Sequence, residues 1–261
     1  MPVPNTAIAV TLFNLRAHCT TEGDLDLTLG RLAAMGYQAV QVSGVKLPAG
    51  VIRKQLDKHG LYCMATHEDM TAIAGDPEPL IGRLKILNCN FTAPGSPGKD
   101  FPYTDLAAVR QLAETFNRAG RVLKSHGIEL GYHNHHRELM RVADTGKTML
   151  EVFCELTDPD RVKIELDVHW VTRGGGSPAS WIRKLKGRIP VIHFKDFALI
   201  DSEPVFAEIG EGNLDWPEIL KACRESGVRW YSIEQDKEFP GRDIFTSTKL
   251  SFDNLRIMGV K

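Results

Sequence analysis

Cysteine is scarce and poorly placed to form a framework. The five residues, Cys19, Cys63, Cys89, Cys154 and Cys223, are odd in number and scattered, with no CxxC pair and no zinc-ribbon spacing. That argues against a disulfide scaffold and fits the reduced thiols of a cytoplasmic protein. No run of about 18 apolar residues occurs, so no membrane span is expected. The opening MPVPNTAIAV lacks the basic segment and long apolar core of a secretory signal. An excess of either charge is also missing, since 32 Lys and Arg stand against 33 Asp and Glu. A nucleic-acid binder usually carries a basic excess or stripe, so nucleic acid is not an expected partner. Nucleophile and zincin motifs of the GxSxG and HExxH kinds do not occur. The run Gly174, Gly175, Gly176 has no lysine in a P-loop pattern.

What is present is alternation. Short apolar runs rich in β-branched residues are followed by amphipathic stretches, many of them closed by glycine. The spacing predicts strands over 7–13, 37–45, 61–67, 89–95, 127–133, 161–170, 188–196 and 228–236. Between them lie expected helices, the clearest from Asp105 to His126, with Leu106, Val109, Leu112, Phe116 and Val122 along one face. Ser177 is a plausible cap, with Pro178 in the first turn of the following helix. No Pro/Ser-rich linker or low-complexity tract divides the series, so one domain over 1–261 is expected. Eight strand-then-helix units fit a closed (β/α)8 TIM barrel of about 250 residues. An open doubly wound sheet would usually carry a Gly-rich phosphate turn after its first strand, where this chain has NLRAHCTTEGD.

In such a barrel, chemistry gathers where strands end. The polar residues there are His67 after the third strand, and His133, His135 and Glu138 in GYHNHHREL after the fifth. Asp167 and His169 follow in the sixth, His193 and Lys195 in the seventh, and Glu234 in the eighth. Strand alternation puts His133 and His135 on one side and Asn134 on the other, and lets His193 and Lys195 share a face. Each has an ordinary structural reading, such as a bonded histidine, a loop cap or a Lys195–Asp196 ion pair. Together they are harder to explain that way, because buried imidazoles and carboxylates are costly unless paired or metal-bound. The mixed oxygen and nitrogen donors suit Mn²⁺, Mg²⁺, Co²⁺ or Zn²⁺.

The segments GYHNHHREL, ELDVHWV, VIHFKD, GEGNLDWPEIL and YSIEQD, with MATHED as a weaker one, resemble the xylose isomerase-like TIM barrel superfamily. This is the sugar phosphate isomerase/epimerase group that also includes inosose dehydratases and apurinic endonucleases. The resemblance runs from the third strand to the C-terminus and fits the first two units more loosely. It implies a divalent metal held by Asp167, His193, Glu234 and a residue near the fifth strand. Glu138 is preferred there because it keeps three carboxylates around the ion, with His133 as the alternative. His67, His133 and His135 are candidate bases, and Lys195 could steady negative charge. The resemblance implies a small sugar or keto-sugar as partner, and homo-oligomers are frequent in the family.

Such a site can polarise a carbonyl, acidify the neighbouring C–H bond and stabilise an enediolate. The expected function is therefore a metal-dependent sugar isomerase or epimerase. A lyase or dehydratase acting on a keto-inositol or 3-keto-sugar stands as the alternative. A phosphodiester hydrolase would want a basic face, and a non-catalytic barrel would not need the ligand set. Trp170 can be read either as a wall for a sugar ring or as filling for the barrel rim.

Overall fold

The computed structural model describes residue 4 and residues 6–261. Its frame is a ring of eight parallel strands: β1 (Ile8–Thr11), β2 (Ala39–Val42), β3 (Tyr62–Glu68), β4 (Phe91–Pro94), β5 (Glu129–His133), β6 (Val162–Asp167), β7 (Val191–Phe194) and β10 (Trp230–Ile233). They close in the order β1-β10-β7-β6-β5-β4-β3-β2, with β10 joined to β1 in the register Ile8 to Tyr231 and Val10 to Ile233. The expected (β/α)8 barrel is what the chain forms.

Each helix has a local reason to begin where it does. Helix α1 (Glu22–Met35) starts at a capping box in which Thr21 and Asp24 satisfy each other's backbone N–H groups. Asp105 accepts from the amides of Ala107 and Ala108 to start α5 (Leu106–Ser125). The apolar face of α5 carries Phe116 against Tyr132 of β5 and Phe153 of α6 (Met149–Leu156), with ring centroids 5.4 and 5.3 Å apart. Burying a ring of that size contributes about 1.5–3 kcal/mol. Ser177 and Pro178 start α8 (Pro178–Lys184) as the sequence predicts. Inside the ring, Phe91 turns toward β5, where a Cβ on Gly131 would lie 2.4 Å from its Cζ.

Two segments differ from the sequence reading. The sixth strand stops at Asp167 rather than running to Trp170, because the Asp167 carboxylate accepts the Trp170 amide and caps the short helix α7 (Val168–Arg173). His169 therefore lies on a helix, not in the strand. The stretch after β7, where no strand is predicted beyond residue 196, forms an antiparallel hairpin of β8 (Asp196–Ile200) and β9 (Glu203–Ala207). Its turn takes positive φ at Asp201 and Ser202, a pairing that suits two-residue hairpins. Among the described residues no helix is long and apolar enough to cross a membrane.

Candidate active site

The carboxyl ends of β3, β5, β6, β7 and β10 bring His67, His133, Asp167, His193 and Glu234 to one end of the barrel. The mouth holds a cavity of about 330 Å³ lined in part by His67, His133, His135, Lys195, Glu234 and Asp236. Two overlapping groups of potential ligand atoms lie there, each within 4.8 Å of one another: His67, His133, Glu165 and His193, and His133, Asp167, His193 and Glu234. The ligand atoms thus come from residues far apart in sequence that the ring alone makes neighbours.

Glu138 does not join either group. Its side chain is fully buried, with one oxygen accepting from the Tyr132 hydroxyl at 2.8 Å and the other from the His135 amide at 2.9 Å. This departs from the expectation that Glu138 would complete the ligand set. The carboxylate orders the chain that follows β5, and His133, the alternative from the same strand end, is the residue whose donor atom lies within 4.8 Å of those of Asp167, His193 and Glu234. Asn134, on the opposite side of the chain from His133, accepts the Asp167 amide at 3.0 Å and so ties β5 to β6.

Glu165 was not singled out from the sequence, although it sits two residues before Asp167 and so on the same face of β6. It is fully buried, takes the His67 Nε2 at 2.5 Å, and lies 3.4 Å from both His133 Nδ1 and His193 Nε2. Gln41 on β2 was missed as well. Its amide donates to Glu165 at 3.0 Å, and its oxygen accepts from the Ser232 hydroxyl at 3.0 Å and from His193 Nε2 at 2.7 Å. A polar residue within an apolar strand was the available signal in both cases.

Lys195 is 1% exposed, with its ammonium 2.6 Å from Glu234, 3.0 Å from Asp236 and 3.3 Å from Asp167. Burial works against its charge, but those three carboxylates raise its pKa above the ordinary lysine range. Asp196 is not its partner. That carboxylate turns the other way and accepts from the amides of Phe197, Gly210, Gly212 and Leu214 and from the Trp216 indole. Trp170 and Phe206 lie 5.0 and 5.7 Å from the Lys195 ammonium, so Trp170 borders the site. Trp181 is a buried core residue.

The electrostatics divide the site. Burial opposes ionisation of Glu165, yet His67 and His193 hold it well below the usual carboxylate range. Burial likewise opposes the charge of Glu234, which Lys195 and His193 hold down. Asp167 goes the other way, pushed up to about 6 by burial against the pull of Lys195. Burial lowers His133 to about 4 and His135 to about 2, so both stay neutral at pH 7.

The residues fit a divalent ion. Asp167 Oδ2 is buried without a hydrogen bond, and the cation it faces within the chain is the Lys195 ammonium 3.3 Å away. Two imidazoles and two carboxylates converge on the same volume, a donor set that suits Mn²⁺, Co²⁺ or Zn²⁺.

Residues 29–248 match the family described as a xylose isomerase-like TIM barrel. Inosose dehydratase of Mesomycoplasma hyopneumoniae is 35% identical over 98 residues, which is 38% of this chain and 31% of that protein. Inosose dehydratase of Lacticaseibacillus casei is 24% identical over 147 residues, 51% of this chain and 48% of that protein. The chain thus spans less than half the length of these curated relatives. A sugar phosphate isomerase/epimerase from Parabacteroides distasonis superposes with a TM-score of 0.81 at 24% identity, covering 99% of this chain and 96% of that one. An L-ribulose 3-epimerase superposes with a TM-score of 0.70 at 14% identity, covering 96% of this chain and 93% of that one. These structural likenesses show the shared fold.

Proposed function

The chain belongs to the xylose isomerase-like TIM barrel family, and on that premise we propose that it is a divalent-metal-dependent enzyme acting on a keto-sugar or keto-inositol through an enediolate. One observation carries the reading: the ligand atoms of His133, Asp167, His193 and Glu234 converge within 4.8 Å at the carboxyl end of the barrel. Those four residues would hold the ion, with His133 rather than Glu138 as the ligand from the β5 end. A bound divalent ion supplies a Lewis acid for the carbonyl oxygen and makes the neighbouring C–H bond acidic.

The chain's own groups do the rest. His67 faces the cavity with its Nε2 on Glu165 and its Nδ1 3.2 Å from the Ser43 hydroxyl. A carboxylate that orients an imidazole in this way favours a base on the other nitrogen, so His67 is the group assigned to take the proton. His133 is occupied by the ligand set, and His135 is held neutral beside it as cavity wall.

Lys195 follows β7, which stands four strands from β3 in either direction round the ring. Base and ammonium therefore approach from opposite walls. A base and an ammonium on opposite walls serve β-elimination, and they also serve epimerisation, which takes a proton from one face of a carbon and returns one to the other. In the elimination reading His67 takes the proton next to the carbonyl, the β C–O bond breaks, and the departing oxygen, steadied by the Lys195 ammonium, takes a proton from water. The likeness to inosose dehydratases supports the same outcome. Among the described residues lining the cavity Lys195 is the one cation, and it is saturated by carboxylates, while Glu68, Asp69 and Asp236 line the same space. A phosphate group would meet negative charge there, so the substrate is an uncharged sugar derivative.

The test follows keto-inositols and 3-keto-glucosides by NMR in D₂O with the Mn²⁺-loaded protein. Exchange of the proton next to the carbonyl, with loss of the β-oxygen substituent, is expected. Exchange with interconversion of two sugars and no loss would favour the isomerase outcome. No exchange with any of them would contradict the enediolate route.

A further inference from the structure

The lining of the cavity at the barrel mouth is polar except at one residue. It consists of imidazoles, carboxylates, serine hydroxyls, glycine backbone and one ammonium, and among the described lining residues Phe13 alone has an apolar side chain. We infer that Phe13 is a specificity-determining residue. It seats one C–H face of the substrate ring and so selects keto-inositols and keto-sugars whose hydroxyls stand equatorial and leave that face clear. This rests on the keto-sugar reading proposed above.

The Phe13 ring is held as a fixed surface. It lies just after β1, in a 3₁₀ helix over Leu12–His18 that begins where the Thr11 hydroxyl accepts the Phe13 amide at 3.3 Å. Arg16 lies outside the cavity lining and covers one face of the ring, with its guanidinium carbon 4.1 Å from the centroid. The same guanidinium donates to the Phe13 carbonyl at 2.6 Å and to the Asp236 carbonyl at 3.3 Å. Gly44 keeps clear the side where a side chain would intrude. A Cβ there, on a residue with φ +73°, would lie 3.0 Å from Phe13 Cδ2. The segment is also tied to the proposed ligand set. The buried Asn14, next to Phe13, donates to the Ile233 carbonyl at 3.4 Å and accepts the Gln235 amide at 2.9 Å, one residue on either side of Glu234.

A sugar or inositol ring is polar at its edge and apolar on its faces, where the axial hydrogens point. When every hydroxyl is equatorial, both faces carry only C–H bonds and can lie flat on an aromatic ring. One axial hydroxyl lifts its face off that ring and loses water without gaining a partner. The rest of the lining supplies hydroxyl and carboxylate partners for the ring edge, and at about 330 Å³ the cavity suits one such ring. Because Asn14 sets Phe13 against Glu234, a ring seated there keeps one orientation toward the ligand set.

The test measures proton exchange in D₂O by the Mn²⁺-loaded full chain, wild type beside Phe13→Leu and Phe13→Tyr, with circular dichroism to confirm folding. The substrates are the all-equatorial inosose and a 3-keto-glucoside, each beside matching rings with one axial hydroxyl on one face or the other. The wild type is expected to favour the all-equatorial ring over at least one axial epimer by about 10-fold in kcat/KM. Phe13→Leu keeps an apolar group without a flat face. It should raise KM for the equatorial ring by about 3–10-fold, narrow the preference and leave Mn²⁺ affinity unchanged, while Phe13→Tyr retains the preference. Equal exchange of all rings by the wild type, or a folded Phe13→Leu with wild-type preference and KM, would overturn the inference and leave the enediolate reading intact. So would a folded Phe13→Leu that loses Mn²⁺, because Phe13 would then prop the ligand set. A wild type that exchanges no ring contradicts the enediolate reading itself, and the inference with it. The wild-type preference decides even where a variant does not fold.

Discussion

Lys195 Nζ lies 2.6 Å from Glu234 Oε2, the same oxygen that faces His193 Nδ1 at 3.1 Å. An ammonium thus already occupies part of the space in which the two carboxylates and two imidazoles would hold an ion, and it neutralises the carboxylates when no ion is bound. Lys195 and a metal therefore share Glu234 and Asp167, and their roles can be separated.

Replacing the lysine by methionine makes that separation. Lys195→Met keeps the length of the side chain and removes the charge, so it should bind Mn²⁺ at least as tightly as wild type while turnover falls. The loss expected for a group that stabilises developing negative charge is about 10²–10³-fold. Isothermal titration and the D₂O assay on one preparation read both quantities. A parallel loss of metal affinity and activity would show that Lys195 acts as scaffold for the ligands rather than on the departing oxygen.

The metal-free protein should lose stability in mild acid. Burial lowers His133 to about 4, His169 to about 3 and His135 to about 2, so an unfolded chain takes up protons near pH 6.5 that the folded chain refuses. Their contribution is complete above pH 6.5 and falls as the pH drops toward those values. Asp167, raised to about 6, has the opposite sign, since its contribution is present below its unfolded value and lost as pH rises through 6. Between pH 5 and 6 these three imidazoles outweigh Asp167 and the upward shifts of Glu138, Asp196 and Asp236. His193 adds little because an unfolded imidazole is mostly protonated there too, and each unmatched proton is worth about 1.4 kcal/mol per pH unit. Urea unfolding should therefore show about 2 kcal/mol less stability at pH 5 than at pH 6. Equal stability at the two values would contradict the burial of these imidazoles as neutral groups.

The barrel interior makes its own prediction at Gly131. A methyl group there would sit 2.4 Å from the Phe91 ring, inside a closed strand pair that cannot widen without breaking β4–β5 hydrogen bonds. Gly131→Ala should cost about 1–3 kcal/mol, the usual range for overpacking. Thermal melts of the metal-free protein check it, and an unchanged midpoint would mean that Phe91 has room to turn.

The barrel was legible because its strands are apolar β-branched runs and its helices stop at glycines such as Gly36 and Gly227, both in the left-handed conformation. Asp167, His193, Lys195 and Glu234 were legible because charge at the end of an apolar run is conspicuous. Glu138 was misleading for a physical reason. A third carboxylate made it look the better ligand, while the short turn after β5 needed that carboxylate for the Tyr132 hydroxyl and the His135 amide. Gln41 and Glu165 escaped because their roles depend on contacts across the ring, with 124 residues between them. The hairpin β8–β9 escaped because it is a partly exposed excursion after β7 whose strands pair with each other rather than with the ring.

The central claim is that one ion binds among His133, Asp167, His193 and Glu234, and metal content of the purified protein tests it most directly. Elemental analysis of the wild type beside Asp167→Ala and Glu234→Ala, each after supplementation with Mn²⁺, should find about one equivalent of divalent metal in the wild type and none in either variant. A wild-type protein that retains no metal, or variants that retain as much as the wild type, would contradict the account.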